Sequence, residues 1–143
     1  MKISENGLLL IKRFEGFSAT PYLCPAGKLT IGYGHVLAPH LLRGPVTIKE
    51  AEKLLLADLA PVEAAINRLV VAPLTQNQFD ALCSLTYNIG VGAFAKSTLL
   101  RLLNTTNHQP STTNQFSRWV YGGGKRLAGL EKRRRAEMEL FQQ

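Results

Sequence analysis

Three side chains near the start of this 143-residue chain could do chemistry together: Glu15, Cys24 and Thr30. Glu15 directly precedes Gly16, at the foot of a stretch that reads as helix. There it would meet the negative end of the helix macrodipole. If its helix face is buried, desolvation acts in the same direction, and both disfavour the carboxylate. A carboxylic acid that keeps its proton is what a general acid needs. Taken alone, the residue reads equally as a surface glutamate before a glycine. The neighbourhood adds more: eight residues separate Glu15 from Cys24, and five separate Cys24 from Thr30. Thr30 opens Thr30-Ile31-Gly32-Tyr33-Gly34-His35. A helix-end acid facing groups on a following hairpin would make a cleft with reactive side chains on opposite walls.

The elements that must position them can be read from caps, breakers and periodicity. Ser4 can cap a first helix running to Glu15, with Gly16 as its stop. Leu8, Ile11 and Glu15 then share one stripe. From Phe17 to Val46 eight prolines and glycines break helical periodicity. Pro25-Ala26-Gly27-Lys28 predicts a turn, with a short strand at Leu29 to Tyr33 in a small antiparallel sheet. Thr47 and Glu50 form a capping-box pattern for a helix burying Ala51, Leu54, Leu55 and Leu59, which Pro61 kinks or ends and which resumes to Leu69. Thr75 and Gln78 repeat the pattern for a helix burying Phe79, Leu82, Cys83 and Leu85 and closing at Asn88-Ile89-Gly90. Ser97 caps a short helix to Leu103. Asn104 to Thr113 reads as a loop, Asn114 to Tyr121 as helical, Gly122-Gly123-Gly124 as a break, and Leu130 to Phe141 as the last helix. The fold class is α+β, mainly helical, in a single domain over 1–143.

Composition narrows the function classes. No apolar run exceeds four residues, as at Leu8 to Ile11, so no membrane-spanning segment and no stable membrane insertion are expected. The first residues lack the features of a secretory signal. Two cysteines exclude a disulfide-built scaffold, and Cys24 and Cys83 are expected to stay reduced. The net charge is +7, of which +4 falls from Arg118 onward, most densely in Lys132-Arg133-Arg134-Arg135. That stretch reads either as a docking patch for polyanions or as a solvated helix face compensated by Glu131, Glu137 and Glu139.

Other candidates are weaker. Tyr33 and His35 could touch substrate or pack. Asn88 could hydrogen-bond substrate or cap its own helix. Gly32-Tyr33-Gly34-His35 lacks the later glycine and following helix of a phosphate loop. His35, His40 and His108 lack zinc-ligand spacing, so neither a metal nor a cofactor is expected. Trp119 and Phe94 read as core.

The chain resembles the phage-type lysozymes, the muramidase endolysins of glycoside hydrolase family twenty-four. That family's pattern of Glu, eight residues, Asp or Cys, five residues, Thr is similar to Glu15, Cys24 and Thr30. Arg13-Phe14-Glu15-Gly16 and Thr30-Ile31-Gly32-Tyr33-Gly34-His35 resemble its N-terminal signature. Leu74 to Leu82 and Asn88-Ile89-Gly90 resemble its central helix, and Gly129-Leu130, Arg133-Arg134 and Glu137 its closing helix.

The resemblance implies a lysozyme-like fold, with a β-containing lobe at about 16–46, a helical lobe at about 70–143 together with the N-terminal helix, and a long helix joining them. It implies hydrolysis of the β-1,4 bond between N-acetylmuramic acid and N-acetylglucosamine of peptidoglycan during phage-driven lysis, by an inverting route. Glu15 would be the acid, Thr30 would hold the attacking water, and Cys24 would stand where Asp is usual. A free Asp ionises near about 3.9 and a free Cys near about 8.5, so Cys24 acts either as a thiolate, with Lys28 as a nearby cation, or only orders the water. Tyr33, His35 and Asn88 would line the substrate. Without a secretory signal, a monomer made in the host cytoplasm is expected, and the resemblance implies that it reaches the wall and periplasm through a holin. The rival readings are a lytic transglycosylase on the same scaffold and a non-catalytic basic domain binding wall or nucleic acid. No nucleic-acid-binding motif is present, and no nucleic-acid partner is expected.

Overall fold

The computed structural model describes residues 1–38, 43–106 and 110–143; His40 and His108 lie outside them. The chain is mainly helical with small antiparallel sheets, as its patterning predicts. It divides into two compact units, Leu9–Pro61 on one hand and Met1–Leu8 with Val62–Gln143 on the other.

The first unit holds the end of α1 (Glu5–Glu15), a sheet and the first part of α2 (Ile48–Leu69). At the start of α1 the Ser4 hydroxyl accepts the Gly7 N–H at 3.3 Å, the cap read from sequence. At its end Gly16, with φ 69°, donates its N–H to the Lys12 carbonyl at 2.9 Å. Three antiparallel strands follow in the order β1 (Ser18–Leu23), β2 (Leu29–Gly32) and β3 (His35–Val36). The register pairs Tyr22 with Thr30 and Leu23 with Leu29, and a bulge lies between Ser18 and Tyr22. The turn between β1 and β2 is closed by Gly27 N–H to Cys24 carbonyl at 2.8 Å and Cys24 N–H to Lys28 carbonyl at 2.9 Å. Ile31, Leu37, Val46 and Ala51 form the core, with Leu29, Tyr33 and Leu54 packed on it.

The Thr47–Glu50 capping box forms as read: Thr47 Oγ1 accepts the Glu50 N–H at 3.1 Å, and the Glu50 carboxylate accepts the Thr47 N–H at 3.3 Å. Pro61 does not break α2, which runs unbroken to Leu69. Pro61 and Ala57, the residue whose carbonyl loses its N–H partner, are both exposed, so water can satisfy the freed oxygen.

In the second unit α3 (Gln76–Ile89) starts at the capping box of Thr75 and Gln78 and buries every residue from Phe79 to Thr86. Then come α4 (Val91–Ala95), α5 (Thr98–Thr106), α6 (Pro110–Thr113), a 3-10 turn (Asn114–Arg118), β4 (Tyr121–Gly122), β5 (Lys125–Arg126) and α7 (Ala128–Gln142). Ser97 caps α5 through the Leu100 N–H at 3.0 Å. Phe79, Leu82, Leu85, Phe94, Leu99 and Phe116 are fully buried.

Four readings are corrected. Asn104 to Thr106 belongs to α5, and Pro110–Thr113 is a helical turn rather than loop. Asn104 is polar because it closes α2: its amide donates to the Leu69 carbonyl and accepts the Val71 N–H, both at 2.9 Å. Gly123 and Gly124, both at positive φ, make a hairpin turn between β4 and β5. Trp119 is half-buried beyond the 3-10 turn, not core.

The fourth correction concerns the basic stretch, which is neither an open patch nor a solvated face. Arg133 and Arg134 are buried, against a fully buried Glu137. Arg134 Nη1 donates to Glu137 Oε1 at 2.5 Å, Arg134 Nε to the Trp119 carbonyl at 2.8 Å, and Arg134 Nη2 to Asn88 Oδ1. Arg133 donates to the Ser84 carbonyl at 3.0 Å, and Ser84 Oγ donates to Glu137 Oε2 at 2.7 Å. Two guanidinium groups become tolerable inside a protein only because carboxylate, carbonyl and amide oxygens meet their donors. Lys132 and Arg135 are the members of the run that face solvent.

Candidate active site

Glu15, Cys24 and Thr30 all lie in the first unit, on three consecutive pieces of local structure. Glu15 is half-buried at the last position of α1, where the chain turns through Gly16. Its carboxylate is backed by Gly34, in the tight turn between β2 and β3. A Cβ on Gly34 would stand 2.5 Å from Glu15 Oε1. Gly34 also has φ 83°, so the turn itself calls for glycine, and an added side chain would push against the Glu15 carboxylate.

Cys24 is partly exposed, one residue beyond the end of β1. Its thiol is held below the ordinary cysteine value, foremost by a hydrogen bond from the Lys28 backbone N–H. Burial opposes the shift; the Ala26 backbone N–H, the Thr30 side chain and the Lys28 charge assist it. Lys28 thus acts chiefly through its amide in the tight turn, and only secondarily as the cation suggested by sequence proximity. Thr30 is buried in β2, and its hydroxyl donates to the Lys28 carbonyl at 2.9 Å. The turn built on Gly27 therefore joins the thiol, the Lys28 peptide and the Thr30 hydroxyl in one small network.

The remaining sequence candidates are engaged inside the fold. The partly buried Tyr33 ring lies 5.6 Å from that of Phe17, centroid to centroid, with Lys12 Nζ 5.5 Å away. His35 Nδ1 lies 2.7 Å from Asp58 Oδ2 of α2. Asn88 belongs to the second unit, where its oxygen accepts from Arg134 instead of capping its helix; Gly90 N–H to the Thr86 carbonyl at 2.8 Å closes α3. Both cysteines are free, and burial foremost pushes the Cys83 thiol far up, with the Glu63 and Asp80 carboxylates adding to it. Among the described residues no group of three His, Cys, Asp or Glu side chains could hold a metal ion.

One residue of this region was missed. Tyr22, more than a third exposed, is the cross-strand partner of Thr30. Its phenol is held above the ordinary tyrosine value by burial first, then by the charges of Glu15 and Cys24. Spacing alone did not mark it; the strand register that sets it opposite Thr30 does.

Chemically, the unit offers a carboxylic acid at a helix end, a thiol of raised acidity and a hydroxyl beside that thiol. Such a set can protonate a leaving group and orient or deprotonate a water.

Known proteins are similar over the whole chain. The family model for phage lysozyme matches residues 12–137. The chain is 47% identical to the endolysin of Acyrthosiphon pisum secondary endosymbiont phage 1, covering 99% of both chains. It is 43% identical to the endolysin of Bacillus phage B103 over 99% of its own length, but spans 54% of that longer protein. Among solved structures, the muramidase domain of SpmX from Asticaccaulis excentricus superposes with a TM-score of 0.89 at 40% identity, covering 99% of this chain and 98% of that one.

Proposed function

The chain belongs to the phage lysozyme family, and on that premise we propose that it cleaves the β-1,4 bond between N-acetylmuramic acid and N-acetylglucosamine by an inverting, water-based route. As an endolysin it is a lysozyme-type hydrolase that acts on peptidoglycan in phage-driven host lysis. The observation that carries the proposed chemistry is the pairing of Cys24 with Thr30 through the Lys28 turn, in the same unit as the helix-end Glu15.

In this reading Glu15 protonates the glycosidic oxygen as the bond to the leaving sugar breaks. A water held by Thr30 attacks the opposite face of the ring. Cys24, as a thiolate, takes the proton from that water. The lowered thiol supports this assignment: the thiolate forms at a lower pH than in an ordinary cysteine, which narrows the gap to the aspartate it stands in for. Gly34 lies close against the Glu15 carboxylate, and Tyr33 and His35 flank it in the β2–β3 hairpin.

With this reading go a monomeric protein, a cytoplasmic origin and a holin that opens the route to the wall. No helix among the described residues is long and apolar enough to cross a membrane.

The test is to digest isolated peptidoglycan with the purified protein and identify the released ends by mass spectrometry. Hydrated, reducing muramic-acid ends are expected, with the anomer opposite to the substrate's formed first. Reducing glucosamine ends would overturn the bond assignment. Anhydro-muramic ends would replace hydrolysis by lytic transglycosylation.

A further inference from the structure

Tyr22 is used by none of the steps above, yet it stands among the residues that take part in them. In an antiparallel pair, residues directly opposite one another project from the same face of the sheet. Tyr22 is opposite Thr30, so the two side chains share a face. Cys24, one residue beyond β1, joins the group through its thiol, which meets the Thr30 side chain. Thr30 is buried there, whereas Tyr22 is 37% exposed. Tyr22 is thus the most exposed member of the group, and its phenol lies within electrostatic reach of both Glu15 and Cys24.

We propose that Tyr22 is a further catalytic residue, whose phenol O–H donates a hydrogen bond to the sugar at the bond being cleaved while its ring forms a platform under that sugar. The inference rests on the muramidase reading of Glu15, Cys24 and Thr30. A sugar reaching both the acid and the Cys24–Thr30 pair would come within reach of an exposed ring lying in the fields of both. An aromatic ring offers an apolar face to the C–H groups of a pyranose, and its hydroxyl a polar handle at the edge. Burial first, and then the neighbouring Glu15 and Cys24, oppose ionisation of the phenol, so it stays a neutral donor. A hydrogen bond that tightens as the ring distorts towards an oxocarbenium-like transition state is stronger there than in the ground state. The contribution of the hydroxyl therefore falls on kcat more than on KM.

The test compares the full-length wild type, Tyr22→Phe and Tyr22→Ala on solubilised peptidoglycan strands, with melting temperatures measured alongside. For Tyr22→Phe the expectation is a kcat about tenfold lower with KM unchanged, the effect of losing one hydrogen bond in the transition state alone. For Tyr22→Ala kcat falls about a hundredfold and KM rises, as the platform is lost as well. Melting temperatures should stay close to wild type, because the side chain is exposed. A Tyr22→Phe kcat within twofold of an active wild type overturns the inference and leaves the muramidase reading intact. A wild type that releases no muramic-acid ends overturns the muramidase reading itself. If Tyr22→Ala melts early, Tyr22→Phe, which keeps the ring, decides alone.

Discussion

Replacing Gly34 by alanine adds one carbon directly against the Glu15 carboxylate. The new Cβ would lie 2.5 Å from Glu15 Oε1, 3.1 Å from Cδ and 3.5 Å from Cγ. Ordinary contact begins at 3.4 Å, so the carboxylate must retreat by about 0.9 Å, or the β2–β3 turn must open. Backbone strain adds to this, because φ at Gly34 is 83° and a side chain there costs about 1–2 kcal/mol. The two effects separate in different assays. Strain of that size should lower the melting temperature by roughly 3–8 °C in a chain of this length. Displacement of an acid by about 1 Å should lower kcat on isolated peptidoglycan by about a hundredfold. The activity loss should exceed what unfolding explains at an assay temperature well below the transition. A Gly34→Ala protein with activity within threefold of wild type would refute the claim that this turn positions Glu15.

Other expectations follow from the same contacts. Glu137→Ala leaves two buried guanidinium groups without their carboxylate and should cost about 3–5 kcal/mol in denaturant unfolding, whereas Lys132→Ala should change stability by less than about 0.5 kcal/mol; equal effects would contradict the buried network. Alkylation by iodoacetamide should label Cys24 alone in the folded protein, with half-maximal rate at a lower pH than an ordinary thiol, because a lowered value means the thiolate appears earlier as pH rises. By the same sign, any stability that Cys24 ionisation contributes is present above the unfolded-state value and lost as pH falls through the folded one. Labelling of Cys83 before global unfolding would contradict its burial. Thr75→Ala removes the α3 cap and should cost about 1 kcal/mol, visible as a lower denaturation midpoint at unchanged slope.

What could be read from sequence was local. The capping boxes at Thr47 and Thr75, the Ser97 cap and the stop at Gly16 depend on residues three or four apart, and each formed where its spacing placed it. The grouping of Cys24 with Thr30 was legible because a short turn joins their strands. The interior placement of Arg133 and Arg134 was not, because their partners Ser84 and Asn88 are about fifty positions upstream, and a run of four cations looks the same whether or not oxygens await it. The β4–β5 hairpin was hidden by its glycines, which signal a break and a turn alike. Whether α2 continued through Pro61 was open for a different reason: the cost of a proline depends on whether the freed carbonyl faces water, a property of the folded surface. Tyr22 was overlooked because strand register, not spacing alone, sets it opposite Thr30.

The most direct test of the central claim is the rate of glycan cleavage by Glu15→Gln on isolated peptidoglycan, beside a wild type of matched melting temperature. Glutamine keeps the shape of the side chain and removes its acid proton. The account predicts a loss of about a thousandfold in kcat with the substrate still bound. A Glu15→Gln protein that cleaves within tenfold of wild type would contradict it, because the proton reaching the leaving sugar would then come from somewhere else.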